Sequence, residues 1–366
     1  MKQTVIDLGN PVLLQEIIIN ILIRLPIKSL IRFQCGCKHW KNLFKTPSFI
    51  AEHLHHSAHQ NSSLLFEDKD ECGRLRLRLF DPGMQVLEFK NERFIGSVRR
   101  NWIVDSSNGL LCVIGKNHSI YLWNPAIRDV RRVPKAINWF ENDDFYLGFG
   151  FSPIVNDYKI VKLYVSGADD DLVNLVEVYL LSTGSWYEVE FDDLDGVAIS
   201  SNGFNINGNG AIFWSGLKLG VEEDASTYSE HLNGLAIYEN KLAMLSHTLS
   251  DDLESSLVEL WVMEEDTGTS RERWNWTIRY TSKPYLGLWL LPVTIWKNEI
   301  ICDVTVLPED ITKTKAEVEN AEQKIVMSNL TTNEFKMFAI RRAGGVGYGI
   351  FNYAESLVSV NNIQIE

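Results

Sequence analysis

The chain has 366 residues, 45% of them hydrophobic and 11% aromatic, a composition that excludes an intrinsically disordered protein. Residues 1–60 carry seven Lys or Arg against three Asp or Glu, whereas the remainder carries 28 against 45. This asymmetry suggests two modules with different partners, and the acidic larger part should repel phosphates, which argues against binding to nucleic acid.

Hydropathy and cysteine usage favour an intracellular protein. The longest apolar run, IIINILI at 17–23, is far shorter than the roughly 20 residues of a membrane span, and residues 1–10 lack the features of an export signal. The five cysteines are odd in number and have no disulfide-framework spacing, which favours a reducing compartment. We therefore expect a cytosolic or nuclear protein that does not contact membranes.

The first 60 residues predict a small helical module. Asn10 and Pro11 suit the start of a helix, and apolar residues follow at helical spacing: Leu14, Ile17, Ile18, Ile21, Leu22 and Leu25. Pro26 ends this helix and can start the next, in which one face is predicted to hold Leu30, Phe33, Cys37, Trp40 and Phe44, with a bend at Gly36. After Pro47, SFIAEHLHH can add one or two turns. Such short helices cannot cover all of these apolar side chains, so another domain or a partner must do so.

From about residue 62 the pattern changes to short alternating runs separated by turn residues, which predicts an all-β sandwich, barrel or propeller. Three segments resemble one another as strand, polar turn and strand: SIYLWNPAIRDVRRVP, VEVYLLSTGSWYEVE and KIVMSNLTTNEFKMFA. LVELWVMEEDTGTSRERWNWTI repeats the pattern with a longer turn. A repeat of this kind favours stacked blades, and hence a propeller.

Several residues that could carry chemistry have simpler interpretations. His53, His55, His56 and His59 have metal-ligand spacing on a helix, but no completing ligands lie nearby in sequence, so a solvated helix end is favoured. Cys35 and Cys37 are predicted to be inert core thiols. GGVGYG at 344–349 and the acids Asp169, Asp170 and Asp171 are expected to be loops. We therefore predict no catalytic site, no metal and no cofactor.

Two further groups of side chains could contact partners. Arg32, Lys38, Lys41 and Lys45 could form a basic helical face for DNA or anionic membrane, but Phe33 and Trp40 lie on the apolar face, so neither contact is favoured. Trp139, Phe140, Trp289 and Trp296 could anchor a protein target, although packing between blades is the favoured interpretation.

The segment LLQEIIINILIRLPIKSLIRFQCGCKHWKNLFKTPSFIAEHL resembles the F-box motif in its plant form, through RLP-x-KSL-x-RF, C-K-x-W and P-x-F-x-x-x-HL in order. Downstream segments resemble the plant F-box-associated domain, which is kelch-like: NGLLCV (108–113), LWNPAIRDVRRVP (122–134), LGFGFSPIVNDYKIVKL (147–163), VEVYLLSTGSW (176–186), GAIFW (210–214), LWVME (260–264) and YAESLVSVN (353–361). The DYK, VEVY and ESLV elements are shared with S-locus F-box proteins, a branch thought to recognise basic ribonucleases.

The resemblance implies an α+β multidomain protein, with a helical F-box over residues 10–56 and a mainly antiparallel, all-β, propeller-like domain over 62–366. It implies a non-catalytic substrate receptor of a Skp–cullin–F-box ubiquitin ligase, which binds cullin through the Skp adaptor and holds a protein target for ubiquitination. The acidic surface suits a basic target. Residues that the resemblance assigns to adaptor binding, some of which must be internal core instead, are Leu13, Leu14, Ile17, Leu22, Leu25, Pro26, Lys28, Leu30, Phe33, Cys37 and Trp40.

Three departures from the family pattern favour an alternative, a divergent F-box scaffold that has lost ligase function. Leu13 and Leu14 stand where the family has Leu-Pro, and Gly36 stands where it has Val. Between Trp214 and Leu235 the chain lacks an expected hairpin and carries VEEDASTYSEH instead.

Overall fold

The computed structural model describes residues 15–60, 62–69, 75–81, 83–88, 102–138, 144–165, 172–190, 197–199, 205–218, 232–249, 255–265, 274–286, 289–305, 323–340 and 349–361. Within these ranges the helices come first and the strands follow. Expectations for residues 13 and 14, 139 and 140, 169–171, 221–231 and 344–348 lie outside the described residues.

The N-terminal module consists of α1 (Gln15–Ile23), α2 (Ile27–Gln34), α3 (Lys38–Leu43) and α4 (Pro47–Gln60). Pro26 separates α1 from α2 as predicted, and it is the N-cap of α2. The prediction of one bent helix over α2 and α3 was wrong. The backbone is extended at Cys37 (φ −146°, ψ 123°). The preceding residue is Gly36, and glycine is the least favourable residue in a helix interior after proline. With 14 residues, α4 is also longer than the predicted one or two turns.

The strands form small antiparallel sheets, which we number in chain order as blades. Blade 1 has the order β25-β1-β2-β3 and so joins the two ends of the β region. Its strands are β1 (Ser63–Lys69), β2 (Leu75–Phe80), β3 (Val86–Glu88) and β25 (Ile350–Tyr353). Blade 2 contains β4 (Trp102–Ser107), β5 (Leu110–Ile114), β6 (Ile120–Asn124) and β7 (Asp129–Arg132). Blade 3 contains β8 (Phe145–Ser152), β9 (Asp157–Val165), β10 (Val173–Leu180) and β11 (Ser185–Val189).

Blade 4 is divided into two strand pairs. In the first, β12 (Val197–Ile199) pairs with β15 (Gly216–Lys218), and in the second, β13 (Asn205–Gly208) pairs with β14 (Ala211–Trp214). Between β14 and Leu232 the structure describes one further strand, β15, which pairs with β12. The segment between Trp214 and Leu235, which is shorter than the family pattern, thus belongs to a blade that is not one continuous four-stranded sheet.

Two more blades complete the β region. Blade 5 contains β16 (Leu232–Tyr238), β17 (Lys241–Leu249), β18 (Ser255–Glu265), β19 (Trp274–Thr281) and β20 (Tyr285–Leu286). Blade 6 contains β21 (Trp289–Trp296), β22 (Glu299–Thr305), β23 (Gln323–Asn329) and β24 (Phe335–Ile340). The repeated segments of the sequence are the hairpins β6–β7, β10–β11, β18–β19 and β23–β24, as predicted.

One edge strand of each blade contacts an edge strand of the next blade. These contacts run in the order β25, β4, β8, β13, β16, β21 and back to β25. This closed ring confirms the propeller. It also explains why the strands are apolar on both faces, because each blade is covered by a neighbour on either side. In β1, Leu64 and Phe66 pack with blade 6, whereas Leu65 packs with blade 2.

Trp296 lies in the same interface between blades 1 and 6, with only 4% of its surface exposed. It therefore has the packing role that was favoured for it, rather than that of an exposed anchor. The structure describes the backbone of Trp289 as the first residue of β21 but not the position of its side chain.

Residues 354–361, which we call the C-terminal strap, continue beyond β25 and cross blade 2. The side-chain amide of Asn124 donates to the carbonyls of Ser356 (2.9 Å) and Val358 (2.8 Å). The carboxylate of Asp129 accepts from the Ser359 hydroxyl (2.6 Å) and the Val360 amide (2.9 Å). LWNPAIRDVRRVP and YAESLVSVN, two of the segments that resemble the F-box-associated domain and which we call signature segments, are thus hydrogen-bonded to each other although they lie more than 200 residues apart.

A third signature segment makes room for the strap. Gly109 has φ +78°, and a Cβ at this position would lie 2.5 Å from the Ser356 hydroxyl oxygen and 2.6 Å from the Ala354 carbonyl oxygen. Only glycine meets both the backbone conformation and the close approach without strain. The Asn-Gly of NGLLCV is therefore explained by the passage of the strap.

We expect Gly109→Ala to lower the free energy of unfolding by about 1–3 kcal/mol, because a left-handed alanine is strained and its methyl group overlaps the strap. Gly36→Ala is the control, since the nearest atom to its added Cβ is 3.7 Å away, and it should change the free energy by less than about 0.5 kcal/mol. Urea-induced unfolding measures both. Equal stability of Gly109→Ala and wild type would contradict this account of the strap.

A buried acid on β4 predicts a pH dependence of stability. Asp105 is 8% exposed, and burial raises its pKa from 3.8 to about 7, although the amide of Ser106 donates to its carboxylate at 2.7 Å. The folded state therefore holds this proton up to higher pH than the unfolded chain. Its contribution to stability is complete below the unfolded pKa and is lost as the pH rises through about 7.

We therefore expect the free energy of unfolding of wild type to fall, relative to that of Asp105→Asn, as the pH rises from about 4 to 7. Asparagine keeps the size of the side chain and cannot ionise. Unfolding curves of both proteins across this range measure the difference, and parallel pH profiles would show that folding does not raise the pKa of Asp105.

Candidate functional site

The four helices enclose an apolar core, which is where part of the predicted adaptor-binding set lies. Leu22 and Leu30 are 3% and 0% exposed, and both belong to one cluster with Ile23, Ile27, Phe44 and Phe49. These side chains hold the module together and are not available to a partner. The predicted assignment of Leu22 and Leu30 to adaptor contact is therefore corrected to internal core, and their spacing could not reveal this because core and surface stripes share the helical period.

Other members of the predicted set lie on the surface. Ile17 of α1 is 44% exposed and Phe33 of α2 is 38% exposed. Ile21 of α1, which was not in the predicted set, is 49% exposed. Trp40 is half-buried and its ring lies 5.4 Å from that of Phe33, centroid to centroid. Large apolar side chains this exposed, next to a core that is already filled, are typical of a surface that a partner covers.

The remaining predicted residues have mixed positions. Pro26 and Lys28 are exposed, whereas Leu25 and Cys37 are partly buried. Leu13 and Leu14 lie outside the described residues. Apart from Leu22 and Leu30, the described candidates thus keep some surface accessible, and their role in binding stays a prediction.

The two thiols of CGC were predicted to be buried in the core, and this was wrong. Cys35 is exposed and Cys37 is partly exposed, while both are free. The cause is the break between α2 and α3, which removes residues 35–37 from the helical face on which Leu30 and Phe44 lie. Gly36 is itself exposed. The side chain that the family pattern has at this position is therefore missing from the surface of the module and not from its core.

The histidines of α4 do not share one environment. His53 is 3% exposed, and its Nε2 lies 3.0 Å from the carbonyl oxygen of Leu25. Burial lowers its pKa, partly opposed by that hydrogen bond. It is a core histidine that ties α4 to the end of α1, which corrects the predicted solvated helix end, whereas His55 is exposed and His56 partly so.

The helical module has exposed basic side chains, and one of its lysines lies near a glutamate of the C-terminal strap. Arg32, Lys38 and Lys41 are exposed. Lys28 lies close enough to Glu355 of the C-terminal strap to favour the ionised acid, although burial is the stronger effect and raises the pKa of Glu355. Lys28 therefore stands at the junction between the helices and the propeller, and its charge is partly directed towards the strap.

A cavity of about 550 Å³ opens at the same junction. Its walls come from α4, from the β4–β5 and β21–β22 turns and from the end of β25. The lining residues are Leu54, Ala58, Ser62, Ser106, Asn108, Gly109, Trp296, Lys297, Asn352, Tyr353 and Ala354. On this side the helices and the propeller are not in full contact.

Among the residues that the structure describes, no group of three or more His, Cys, Asp or Glu side chains could hold a metal ion. None of the helices in these ranges is long and apolar enough to cross a membrane.

Comparison with known proteins identifies both modules. Residues 13–51 match the family model of the F-box domain, and residues 85–233 match that of the F-box associated beta propeller domain. The domain bounds 10–56 and 62–366 stay a prediction.

Curated relatives from Arabidopsis thaliana agree with these matches. An F-box protein is 28% identical over 213 residues, which cover 54% of this chain and 52% of the relative. An F-box/kelch-repeat protein is 27% identical over 202 residues, covering 52% of this chain and 51% of the relative. The chain spans about half the length of the curated relatives it matches.

The relation to S-locus F-box proteins stays a prediction.

The helical module, the closed ring of blades and both family matches lead to one conclusion. The chain is an F-box protein with an F-box-associated beta-propeller domain, related to F-box proteins of Arabidopsis thaliana.

Proposed function

We propose that this protein is the substrate receptor of a Skp–cullin–F-box ubiquitin ligase. The observation that carries the proposal is the exposure of Ile17, Ile21 and Phe33 on helices whose own core is filled. An adaptor that covered these side chains would remove apolar surface from water, which stabilises a complex by about 25 cal/mol per Å² before the costs of association.

The charge distribution supports the same proposal. The module carries more Lys and Arg than Asp and Glu, and the resemblance to the F-box family implies an acidic adaptor. Complementary charges of this kind raise association rates and select partners. The acidic propeller would in turn suit a basic protein target, and the receptor itself would be non-catalytic, acting in the cytosol or nucleus.

In this mechanism the receptor contributes proximity. It would hold target lysines close to a ubiquitin-loaded enzyme at the cullin, which raises their effective concentration. The alternative is an F-box scaffold that has lost the adaptor. Gly36 favours it, because this exposed position carries no side chain that could be buried by a partner.

The sorting of the helical residues predicts separate effects on stability. We expect Leu30→Ala to destabilise the F-box helices by about 2–5 kcal/mol, because Leu30 is fully buried. Phe33→Ala should change their stability by less than about 1 kcal/mol, since that ring is 38% exposed. Hydrogen exchange of the helical amides in both variants measures this, and a Phe33→Ala loss as large as that of Leu30→Ala would place Phe33 in the core.

Adaptor binding is tested with Ile21→Asp and Phe33→Asp, which place a carboxylate on the exposed apolar surface while leaving the core intact. Each should weaken binding of the full chain to a purified Skp adaptor at least about tenfold, a loss of 1.4 kcal/mol. Ile154→Asp is the matched control, because Ile154 is 84% exposed on the β8–β9 turn of the propeller. Calorimetry or a pull-down measures the affinity.

Three outcomes are distinct. Binding by wild type and Ile154→Asp, but not by Ile21→Asp and Phe33→Asp, supports the receptor. Equal binding by all four proteins would move the interface elsewhere on the F-box. No binding by folded wild type, with another F-box protein binding the same adaptor, would overturn the receptor and favour the scaffold.

A further inference from the structure

The core of the F-box helices is completed by a residue from the other end of the chain. Leu357 of the C-terminal strap is 6% exposed, and it belongs to the same buried cluster as Leu30, Phe44 and Phe49. Ala126 and Ile127, from the β6–β7 turn of blade 2, pack against that cluster. The propeller therefore inserts one side chain into the helical module and supports it with two more.

The segments that make this contact are fixed to one another. Asn124 donates from its side chain to the carbonyls of Ser356 and Val358, which lie on either side of Leu357. Its side-chain oxygen accepts from the amide of Ala126 at 3.0 Å. One buried amide group thus positions both the strap and the turn. Asn124 is fully buried, where such bonds are strong and their loss is costly.

Elsewhere the junction is more open. The cavity of about 550 Å³ lies between α4 and the turns of blades 2 and 6. Leu357, Ala126 and Ile127 make apolar contact with the helical cluster, and Glu355 of the strap lies near Lys28 of α2. Because a few side chains make this contact, removing the most buried of them would leave the two modules freer to change their relative angle.

We propose that Leu357 is a positioning residue that fixes the orientation of the F-box helices relative to the propeller. Resting on the proposed function, this orientation determines which lysines of a propeller-bound protein lie within reach of the ubiquitin-loaded enzyme. The strap is thereby a joint between the two modules as well as the continuation of the ring-closing strand. Leu357 would act on ubiquitin transfer only through geometry, without contact to the adaptor or to a target.

The chain offers a matched control. Val360 lies in the same strap and is fully buried, but it packs between blades 2 and 3 and not with the helices. Leu357→Ala and Val360→Ala each remove methyl groups from a buried site of the strap. Only the first removes the contact between the modules. Leu357→Met, which keeps most of the volume, should restore the behaviour of wild type.

The first measurement uses the full chain alone, with spin labels at Glu52→Cys on α4 and Thr332→Cys on the β23–β24 turn, both exposed. Cys35, Cys37 and Cys72 are replaced by Ser in every variant. We expect Leu357→Ala to broaden the distance distribution between the labels at least about twofold, while Val360→Ala and Leu357→Met keep the wild-type width. An unchanged width in Leu357→Ala, or equal broadening in Val360→Ala, would overturn the proposal.

The second measurement uses a reconstituted ligase and maps by mass spectrometry which lysines of the receptor itself are ubiquitinated. Wild type should modify a restricted set of propeller lysines, and Leu357→Ala a wider one, at equal adaptor affinity. The same set in both proteins would overturn the role in transfer geometry. Failure of wild type to bind the adaptor would overturn the proposed function instead, and the label distances would still decide whether Leu357 fixes the orientation.

Discussion

The pairing of β25 with β1 is the interaction on which the rest of the structure depends. Residues 350–353 pair with residues 63–66 in one antiparallel register, so that the last described strand completes the first blade. Without it, β1 would present an unpaired edge and the clusters that join blade 1 to blades 2 and 6 would each lose a member, Tyr353 in one case and Ile350 in the other. Closure and inter-blade packing are therefore a single requirement.

This closure also explains why the signature segments are so far apart in sequence. Gly109 leaves space for the strap, Asn124 and Asp129 bond to its backbone, and the strap itself contains Ser356 and Ser359. The DYK segment has a similar role within blade 3, where the Asp157 carboxylate accepts from the amide of Ser182 in the β10–β11 turn. These polar residues position the backbone, and none is needed to explain binding.

The sequence was informative where the causes are local. Pro26 and the turn residues separated α1 from α2 and marked the hairpins correctly, because they act within a few residues. The break between α2 and α3 was not predicted. The assignment of Leu22 and Leu30 to the core, and of Ile17 and Ile21 to the surface, depends instead on packing among α1 to α4 and with Leu357. His53 was misjudged for the same reason, since its partner is the carbonyl of Leu25, 28 positions away. The helical period of apolar residues predicts a helix, but it does not show which of its apolar side chains another segment of the chain buries.

The apolar side chains of the helical module therefore fall into two groups. One group is covered within the chain by Leu357, Ala126 and Ile127. The other group, which includes Ile17, Ile21 and Phe33, is exposed. Because a module of about 45 residues has a small core, each buried side chain contributes a large share of its packing, and Leu357 is one of them. The strap that completes the propeller therefore also completes the core of the module whose exposed side chains a partner would cover.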